Sequence, residues 1–303
     1  MKMDNPANHL ILSLIGHSNS VTGVAVTSDG KRAVSASLDR TLKVWDLESG
    51  RAVCTLTGHS SLVDGVAVTL DGKRAVSASR DQTLKVWDLE SGCEICTLIG
   101  HSGWVSGVAV TLDGKRAFSA SSDNTLKVWD LESGCKVCTL TGHSGWVYGV
   151  AVTSDGKRAV SASRDQTLKV WDLESGCAVC TLTGHWLAVK GVAVTPDGKR
   201  VVSASWDQTL KVWDLESGWE VCTLTGHWYG VNGVAVTPDG KRAVSASEDN
   251  TLKVWDLESG HEICTLIGHS HSVNGVAVTP DGKRAVSASL DQTLKVWDLE
   301  WGK

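Results

Sequence analysis

The chain has 303 residues, a formal net charge of −5 and nine cysteines. The acidic balance argues against a nucleic-acid partner, and no apolar run approaches the length of a membrane span, so we expect neither nucleic acid nor a membrane as a partner. An odd number of cysteines without a convincing signal peptide argues against a secreted disulfide framework, so we expect a cytoplasmic protein.

The first predicted element is the apolar segment HLILSLIG at residues 9–16. Its composition is similar to the apolar region of a signal peptide, but only Lys2 precedes it and no small-residue cleavage site follows. The internal repeats favour another interpretation, in which this segment is a β-strand.

The rest of the sequence repeats with a period of 42 residues. Gly-His pairs begin at residues 16, 58, 100, 142, 184, 226 and 268, and a Trp-Asp pair follows 29 residues after each. A fixed period between about 20 and 50 residues is typical of repeat proteins. We therefore predict a single domain, residues 1–303, with units at about 16–57, 58–99, 100–141, 142–183, 184–225, 226–267 and 268–303.

Each unit contains short runs rich in β-branched residues, separated by turn sequences. In the first unit these runs begin at Val21, Arg32, Thr41 and Ala52, with SDG, LDR and ESG between them. They predict four antiparallel strands per unit. The last unit lacks the fourth run, and LILSLIG from Leu10 aligns with AVCTLTG from Ala52. We expect residues 9–15 to supply the missing strand.

These motifs resemble the WD-repeat β-propeller family. The Gly-His pair, DGK in the first hairpin, SxSxD and then WD occur seven times over roughly residues 10–300. The resemblance implies an all-β fold, a seven-bladed β-propeller with four antiparallel strands per blade, whose ring is closed by the N-terminal strand in the last blade. Units this nearly identical are also similar to recently amplified bacterial propellers.

Each unit also contains a Ser, a His and an Asp, the residue types of a hydrolytic triad. The family's structural tetrad adds the Trp of WD, and the same spacing in all seven units favours a scaffold over one active site. The predicted tetrads are His17, Ser35, Asp39 and Trp45; His59, Ser77, Asp81 and Trp87; His101, Ser119, Asp123 and Trp129; His143, Ser161, Asp165 and Trp171; His185, Ser203, Asp207 and Trp213; His227, Ser245, Asp249 and Trp255; and His269, Ser287, Asp291 and Trp297. We predict no catalytic residue.

Three Cys-x-x-Cys pairs begin at Cys93, Cys135 and Cys177, at the start of the predicted outer strands. Side chains three apart on an extended strand point to opposite faces, so the two sulfurs of a pair should diverge. No further cysteine or histidine lies at a spacing that would complete a zinc site. We expect no metal and no cofactor.

The variation among the seven units is concentrated at a few positions. These are the first, second, third and fifth residues after each Gly-His pair and the residue before each tetrad aspartate. The resemblance implies that both segments are loops that open on one face around the central channel, here called the top face. The packing residues are nearly the same in all units, whereas one surface varies, and this contrast indicates a rigid scaffold whose variable surface binds a partner.

Aromatic residues at these positions are confined to units three to six. They are Trp104, Trp146, Tyr148, Trp186, Trp206, Trp228 and Tyr229. Together with Arg80, Arg164 and Lys190 they form the predicted partner-binding residues, because Trp, Tyr and Arg are enriched in binding hot spots. Only two tryptophans outside the WD pairs, Trp219 and Trp301, fall elsewhere.

The leading hypothesis is a non-catalytic scaffold or sensor module that binds a protein or peptide. Exposed Trp and Tyr also stack on sugar rings, so a carbohydrate-binding propeller is the alternative. A third possibility is a propeller that associates with its own copies through the aromatic surface. The oligomeric state stays open.

Overall fold

A computed structural model describes residues 9–300 and confirms the predicted seven-bladed propeller. Seven sheets, each of four antiparallel strands, account for the regular structure of these residues, and they contain no helix. It follows that no helix in the described part of the chain could cross a membrane. Residues 1–8 and 301–303, including Trp301, lie outside the described range.

The strands are numbered in chain order. The first fourteen are β1 (Leu10–Ile15), β2 (Val21–Val26), β3 (Arg32–Ser37), β4 (Thr41–Asp46), β5 (Ala52–Thr57), β6 (Val63–Val68), β7 (Arg74–Ser79), β8 (Thr83–Asp88), β9 (Glu94–Ile99), β10 (Val105–Val110), β11 (Arg116–Ser121), β12 (Leu126–Asp130), β13 (Lys136–Leu140) and β14 (Val147–Val152). The other fourteen are β15 (Arg158–Ser163), β16 (Thr167–Asp172), β17 (Cys177–Thr183), β18 (Val189–Val194), β19 (Arg200–Ser205), β20 (Thr209–Asp214), β21 (Glu220–Thr225), β22 (Val231–Val236), β23 (Arg242–Ser247), β24 (Thr251–Asp256), β25 (Glu262–Ile267), β26 (Val273–Val278), β27 (Arg284–Ser289) and β28 (Thr293–Asp298).

The ring closes through the N-terminal strand, as predicted. The seventh sheet has the order β1-β28-β27-β26, so β1 is the outer strand of the last blade. Leu14 in β1 is fully buried with Trp45 and Val286. The first and last strands of the described chain thus pair in one sheet.

The hydrophobic core is divided into seven clusters, one between each pair of neighbouring blades. Each cluster joins the buried face of one blade to the WD tryptophan of the next; Trp87, for example, packs with Val34, Val44 and Leu56. All seven WD tryptophans are about 1% exposed. Because identical blades bury identical faces, one repeated tryptophan supplies most of the large aromatic packing.

The inner strands carry the feature that shapes the channel. In every blade the pairing of the inner strand with its neighbour skips one residue, the second of the inner strand, which therefore forms a β-bulge. The next residue is always glycine, and a Cβ on Gly107 would lie 2.5 Å from the carbonyl oxygen of Tyr148 in the next blade. Only glycine lets adjacent inner strands approach this closely.

Candidate functional site at the top of the central channel

The Ser, His, Asp and Trp of each unit form one hydrogen-bonded chain. The indole N–H donates to the serine Oγ at 2.8–2.9 Å. The serine hydroxyl donates to the imidazole Nε2 at 2.7 Å. The imidazole Nδ1–H then donates to the aspartate Oδ2 at 2.6–2.7 Å. Every tetrad serine is fully buried, so no substrate can reach a tetrad hydroxyl.

The tetrads fix the backbone that presents the variable side chains. The Oδ2 atom of Asp207 also accepts a hydrogen bond from the amide of Trp186, and that of Asp249 accepts one from the amide of Trp228. A further backbone hydrogen bond joins the two variable segments within each blade; the amide of Arg164, for example, donates to the carbonyl of Trp146 at 2.8 Å. A copied frame thus holds diversified side chains on a fixed backbone.

The bulged residues of the seven inner strands form a ring around the channel axis. They are Thr22, Asp64, Ser106, Tyr148, Lys190, Asn232 and Asn274. The resemblance assigns this variable position to a loop although the predicted strand already begins one residue earlier, and the structure places it inside each inner strand. The bulge releases the residue from the ladder and turns its side chain toward the channel, as β-bulges often do beside functional sites.

A cavity of about 430 Å³ lies at the top of the channel, and every unit contributes to its wall. We call it the mouth. Its lining consists of the seven ring residues together with Leu38, Arg80, Trp104, Trp146, Trp206 and Leu290. The sequence signal for these seven residues is the variable fifth position after each Gly-His pair, but only Tyr148 and Lys190 are among the predicted site residues, and Thr22, Asp64, Ser106, Asn232 and Asn274 are not.

Four of the seven predicted aromatic side chains form a continuous row in the mouth. The ring centroids of Trp104 and Trp146 are 6.0 Å apart, those of Trp146 and Tyr148 6.4 Å, and those of Tyr148 and Trp206 6.1 Å. The Trp206 indole N–H also donates to Asn232 Oδ1 at 3.2 Å. Tilted and edge-on pairs at these distances are favourable aromatic contacts.

The predicted cations lie on these same rings. The guanidinium carbons of Arg80 and Arg164 lie 5.0 Å from the ring centroids of Trp104 and Trp146. The ammonium nitrogen of Lys190 lies 3.7 Å from the Tyr148 ring centroid and 4.8 Å from that of Trp206. Each ring of the row therefore already faces a cation from the protein itself.

Burial shifts the ionisation of the charged residues in the mouth. It lowers the pKa of Lys190 to about 8, although the negative charges of Asp64 and Glu248 oppose the shift. Burial also raises the pKa of Asp64 above its ordinary value, and the opposing interaction comes from Arg80, which donates to both carboxylate oxygens at 2.8 and 3.2 Å. The pKa of Tyr148 is raised by burial as well, so its hydroxyl stays protonated near neutral pH.

The other three predicted aromatic side chains do not join the row. Trp186, Trp228 and Tyr229 are 64%, 80% and 61% exposed, lie outside the mouth and make no ring contact within residues 9–300. Arg164 contacts Trp146 but does not line the mouth. The structure therefore divides the predicted arc into a packed row in the mouth and separate exposed side chains on blades five and six.

The Cys-x-x-Cys pairs form no metal centre. All nine cysteines are free thiols, and residues 9–300 contain no group of three or more His, Cys, Asp or Glu side chains placed to hold a metal ion. A β-bulge in the pairing of β8 with β9 interrupts the strict alternation between Cys93 and Cys96. Cys96 nevertheless packs against the core while Cys93 is exposed, so the two sulfurs have different surroundings.

Comparison with known proteins agrees with this geometry. The sequence profile described as "WD domain, G-beta repeat" matches residues 8–46, 50–88, 92–130, 134–172, 176–214, 218–256 and 260–298. A 47-residue segment is 43% identical to the Small ribosomal subunit protein RACK1 of Caenorhabditis elegans and covers 16% of this chain and 14% of that protein. A 38-residue segment is 55% identical to the protein of the same name from Candida albicans and covers 12% of each. Both matches span far less than two thirds of the relatives.

Proposed function

Because this chain belongs to the WD-repeat family, whose members mostly act as docking platforms, we propose that it is a non-catalytic module that binds a protein or peptide. The binding surface is the mouth and the adjoining top-face loops of units three to six. The partner is identified by chemistry, as a polypeptide segment with side chains that pack on Trp and Tyr.

The row from Trp104 to Trp206 is the observation that carries this proposal. Four large rings in mutual contact, partly exposed and held on a fixed backbone, offer contact area at little cost in conformational entropy. The rings stand at positions that vary between units, while the residues that hold the frame are copied. Selection for folding alone gives no reason for this contrast.

The covered ring faces favour a peptide over a sugar in the mouth. A sugar stacks flat on an open ring face, but Arg80, Arg164 and Lys190 lie over the rings of the row. A peptide can instead use ring edges and the polar groups between them. A sugar site would have to use Trp186 or Trp228, whose side chains are far more exposed.

A pull-down with purified protein, followed by direct titration of the captured partner, tests the proposal. The triple variant Trp104→Ala, Trp146→Ala, Trp206→Ala should lose binding at least about tenfold, because hot-spot truncation typically costs 2 kcal/mol or more per residue. The matched control is Trp219→Ala, a 77% exposed tryptophan in the turn before β21, at the opposite ends of the strands. It should bind like the wild type.

Three outcomes would contradict the proposal. Undiminished binding by the triple variant would remove the mouth from the binding surface. Light scattering could show that the wild type is an oligomer and the triple variant a monomer. That result would mean that the aromatic surface binds other copies of this chain. Quenching of Trp fluorescence by a sugar, lost in Trp186→Ala and Trp228→Ala, would favour the carbohydrate-binding alternative.

A further inference from the structure

Lys190 is the one positively charged residue among the seven bulged residues around the channel, and no described residue accepts a hydrogen bond from it. Its ammonium group makes no hydrogen bond or salt bridge with any described residue, and it rests on the Tyr148 and Trp206 rings. Lys190 is half-buried, and its ammonium carries three N–H donors that no described residue accepts. The group is therefore prepared to receive an acceptor from outside the chain.

Three of the other bulged residues around the channel do form hydrogen bonds to the neighbouring blade. Thr22, Asn232 and Asn274 each donate to the first carbonyl of the next inner strand, at 2.7, 3.2 and 2.8 Å. Lys190 makes no corresponding bond to Val231 among the described residues. Its long side chain instead lies in the wall of the mouth.

The one carboxylate in the wall of the mouth is already engaged. Asp64 pairs with Arg80 through both oxygens, at 2.8 and 3.2 Å, and does not reach the lysine. Glu248 acts on Lys190 only at longer range and does not line the mouth. The positive charge of Lys190 thus stays unpaired in the cavity.

The charges on the rings also decide which ligands fit. Arg80, Arg164 and Lys190 cover the row, so a lysine or arginine side chain of a partner would find like charges where it would otherwise stack. An anionic group would meet attraction and vacant N–H donors. The local preference is opposite in sign to what the chain's net charge of −5 suggests.

We propose, resting on the peptide-binding function above, that Lys190 is the anchor for the carboxylate of an acidic side chain in an extended peptide laid across the mouth. An internal side chain is favoured over a chain terminus because exposed rings stand on both sides of Lys190. Trp104 and Trp146 belong to blades three and four, and Trp228 to blade six. A segment that reaches both sides must continue past the lysine in both directions.

The test uses an array of synthetic pentapeptides with acetylated N-termini and amidated C-termini. Apolar or aromatic residues flank a central position that is Glu, Asp, Gln, Asn or Lys, and binding is read by fluorescence anisotropy. Peptides with central Glu or Asp should bind at least about tenfold more tightly than their amide counterparts, since a hydrogen-bonded charge pair of this kind contributes about 1.5–3 kcal/mol. Central Lys should bind weakest.

Two substitutions of Lys190 separate charge from shape. Lys190→Met keeps the length of the side chain and should remove the preference for Glu over Gln, while Lys190→Arg should keep it. Persistence of the preference in Lys190→Met would overturn the assignment. So would tight binding of a central-Gln peptide whose C-terminus is left free, because the anchor group would then be the terminal carboxylate.

A pH series gives a second readout. The pKa of Lys190, about 8, means that the group changes from mostly charged to mostly neutral between pH 7 and 9. A bound carboxylate raises this pKa, so affinity is nearly full at pH 7 and below and should fall about five- to tenfold by pH 9. Asp64, Arg80, Tyr148 and Glu248 also face or act on Lys190, and the Gln peptide, measured over the same range, reports any change in them.

The failure of this assignment is distinguishable from the failure of the proposed function. Binding that needs Trp104 and Trp146 but ignores the central residue contradicts only the role of Lys190. Absence of binding to every peptide, with the Trp variants behaving like the wild type toward any captured protein, contradicts the proposed function itself.

Discussion

Replacement of Leu14 by alanine tests whether the N-terminal strand closes the ring. Leu14 is fully buried in β1, in a cluster with Trp45 from the first blade and Val286 from the last. Its equivalent 42 residues later is Leu56 in β5, which is buried to the same extent inside the chain. The two clusters contain the same buried residue types, so the sites differ in one partly buried neighbour, Leu12 against Cys54, and in whether the strand comes from near a chain end.

Truncation of a fully buried leucine to alanine typically costs 2–5 kcal/mol, which includes the lost burial and the cavity left behind. At about 2.1 cal/mol/K per residue, unfolding of a domain near 300 residues has an entropy of about 0.6 kcal/mol/K. A loss of about 3 kcal/mol therefore lowers the melting temperature by about 5 °C. We expect this shift for Leu14→Ala and for Leu56→Ala alike, measured by calorimetry.

The claim that β1 closes the propeller is refuted if Leu56→Ala lowers the melting temperature and Leu14→Ala does not. That result would mean that β1 is loosely held and that the last blade is stable with three strands. Deletion of residues 1–15 should lower stability further, since it also exposes the edge of β28.

The remaining predictions concern the frame. Ser161→Ala leaves the Trp171 indole N–H and the His143 Nε2 without a partner and should cost about 2 kcal/mol in denaturant titrations, while wild type and variant alike show no hydrolase activity. Gly107→Ala forces a Cβ against the Tyr148 carbonyl and should cost about 1–3 kcal/mol by the same measurement. Stability should fall as the pH drops below 6.5, and the melting temperature measured from pH 8 to 3 will show it. The reason is that burial holds the pKa of His17 below 6.5, so the unfolded chain binds this proton at a higher pH than the folded chain does. A further loss should occur between about pH 4 and 2, because the pKa of Asp207, despite burial, is lowered to about 2 by the hydrogen bond from His185. A flat profile from pH 8 to 3 would contradict both pKa directions.

The fold could be predicted from the sequence because each level of pattern agreed with the next. The 42-residue period set the number of blades, the β-branched runs set the four strands, and the missing fourth run of the last unit pointed to residues 9–15. Leu14, for example, aligns with Leu56 when LILSLIG is matched to AVCTLTG. Repetition removes most of the ambiguity that a single copy would leave.

The site was less predictable because it depends on departures from regular geometry. Strict alternation cannot predict the bulge that turns Thr22 and its equivalents toward the channel, and the resemblance assigned this variable position to a loop. The contacts between aromatic rings also depend on the relative positions of the blades. Trp206 contacts Tyr148, whereas Trp186, from the same unit, is exposed and does not. No sequence pattern predicts that a cationic side chain lies over each aromatic ring of the row.

Hydrogen–deuterium exchange of the chain with and without its captured partner tests the central claim most directly. A partner seated over the mouth should slow exchange in the top-face segments around Trp104, Trp146 and Lys190, and leave the turn at Trp219 unchanged. Protection centred on the turns at the opposite ends of the strands, with the mouth unaffected, would contradict the account.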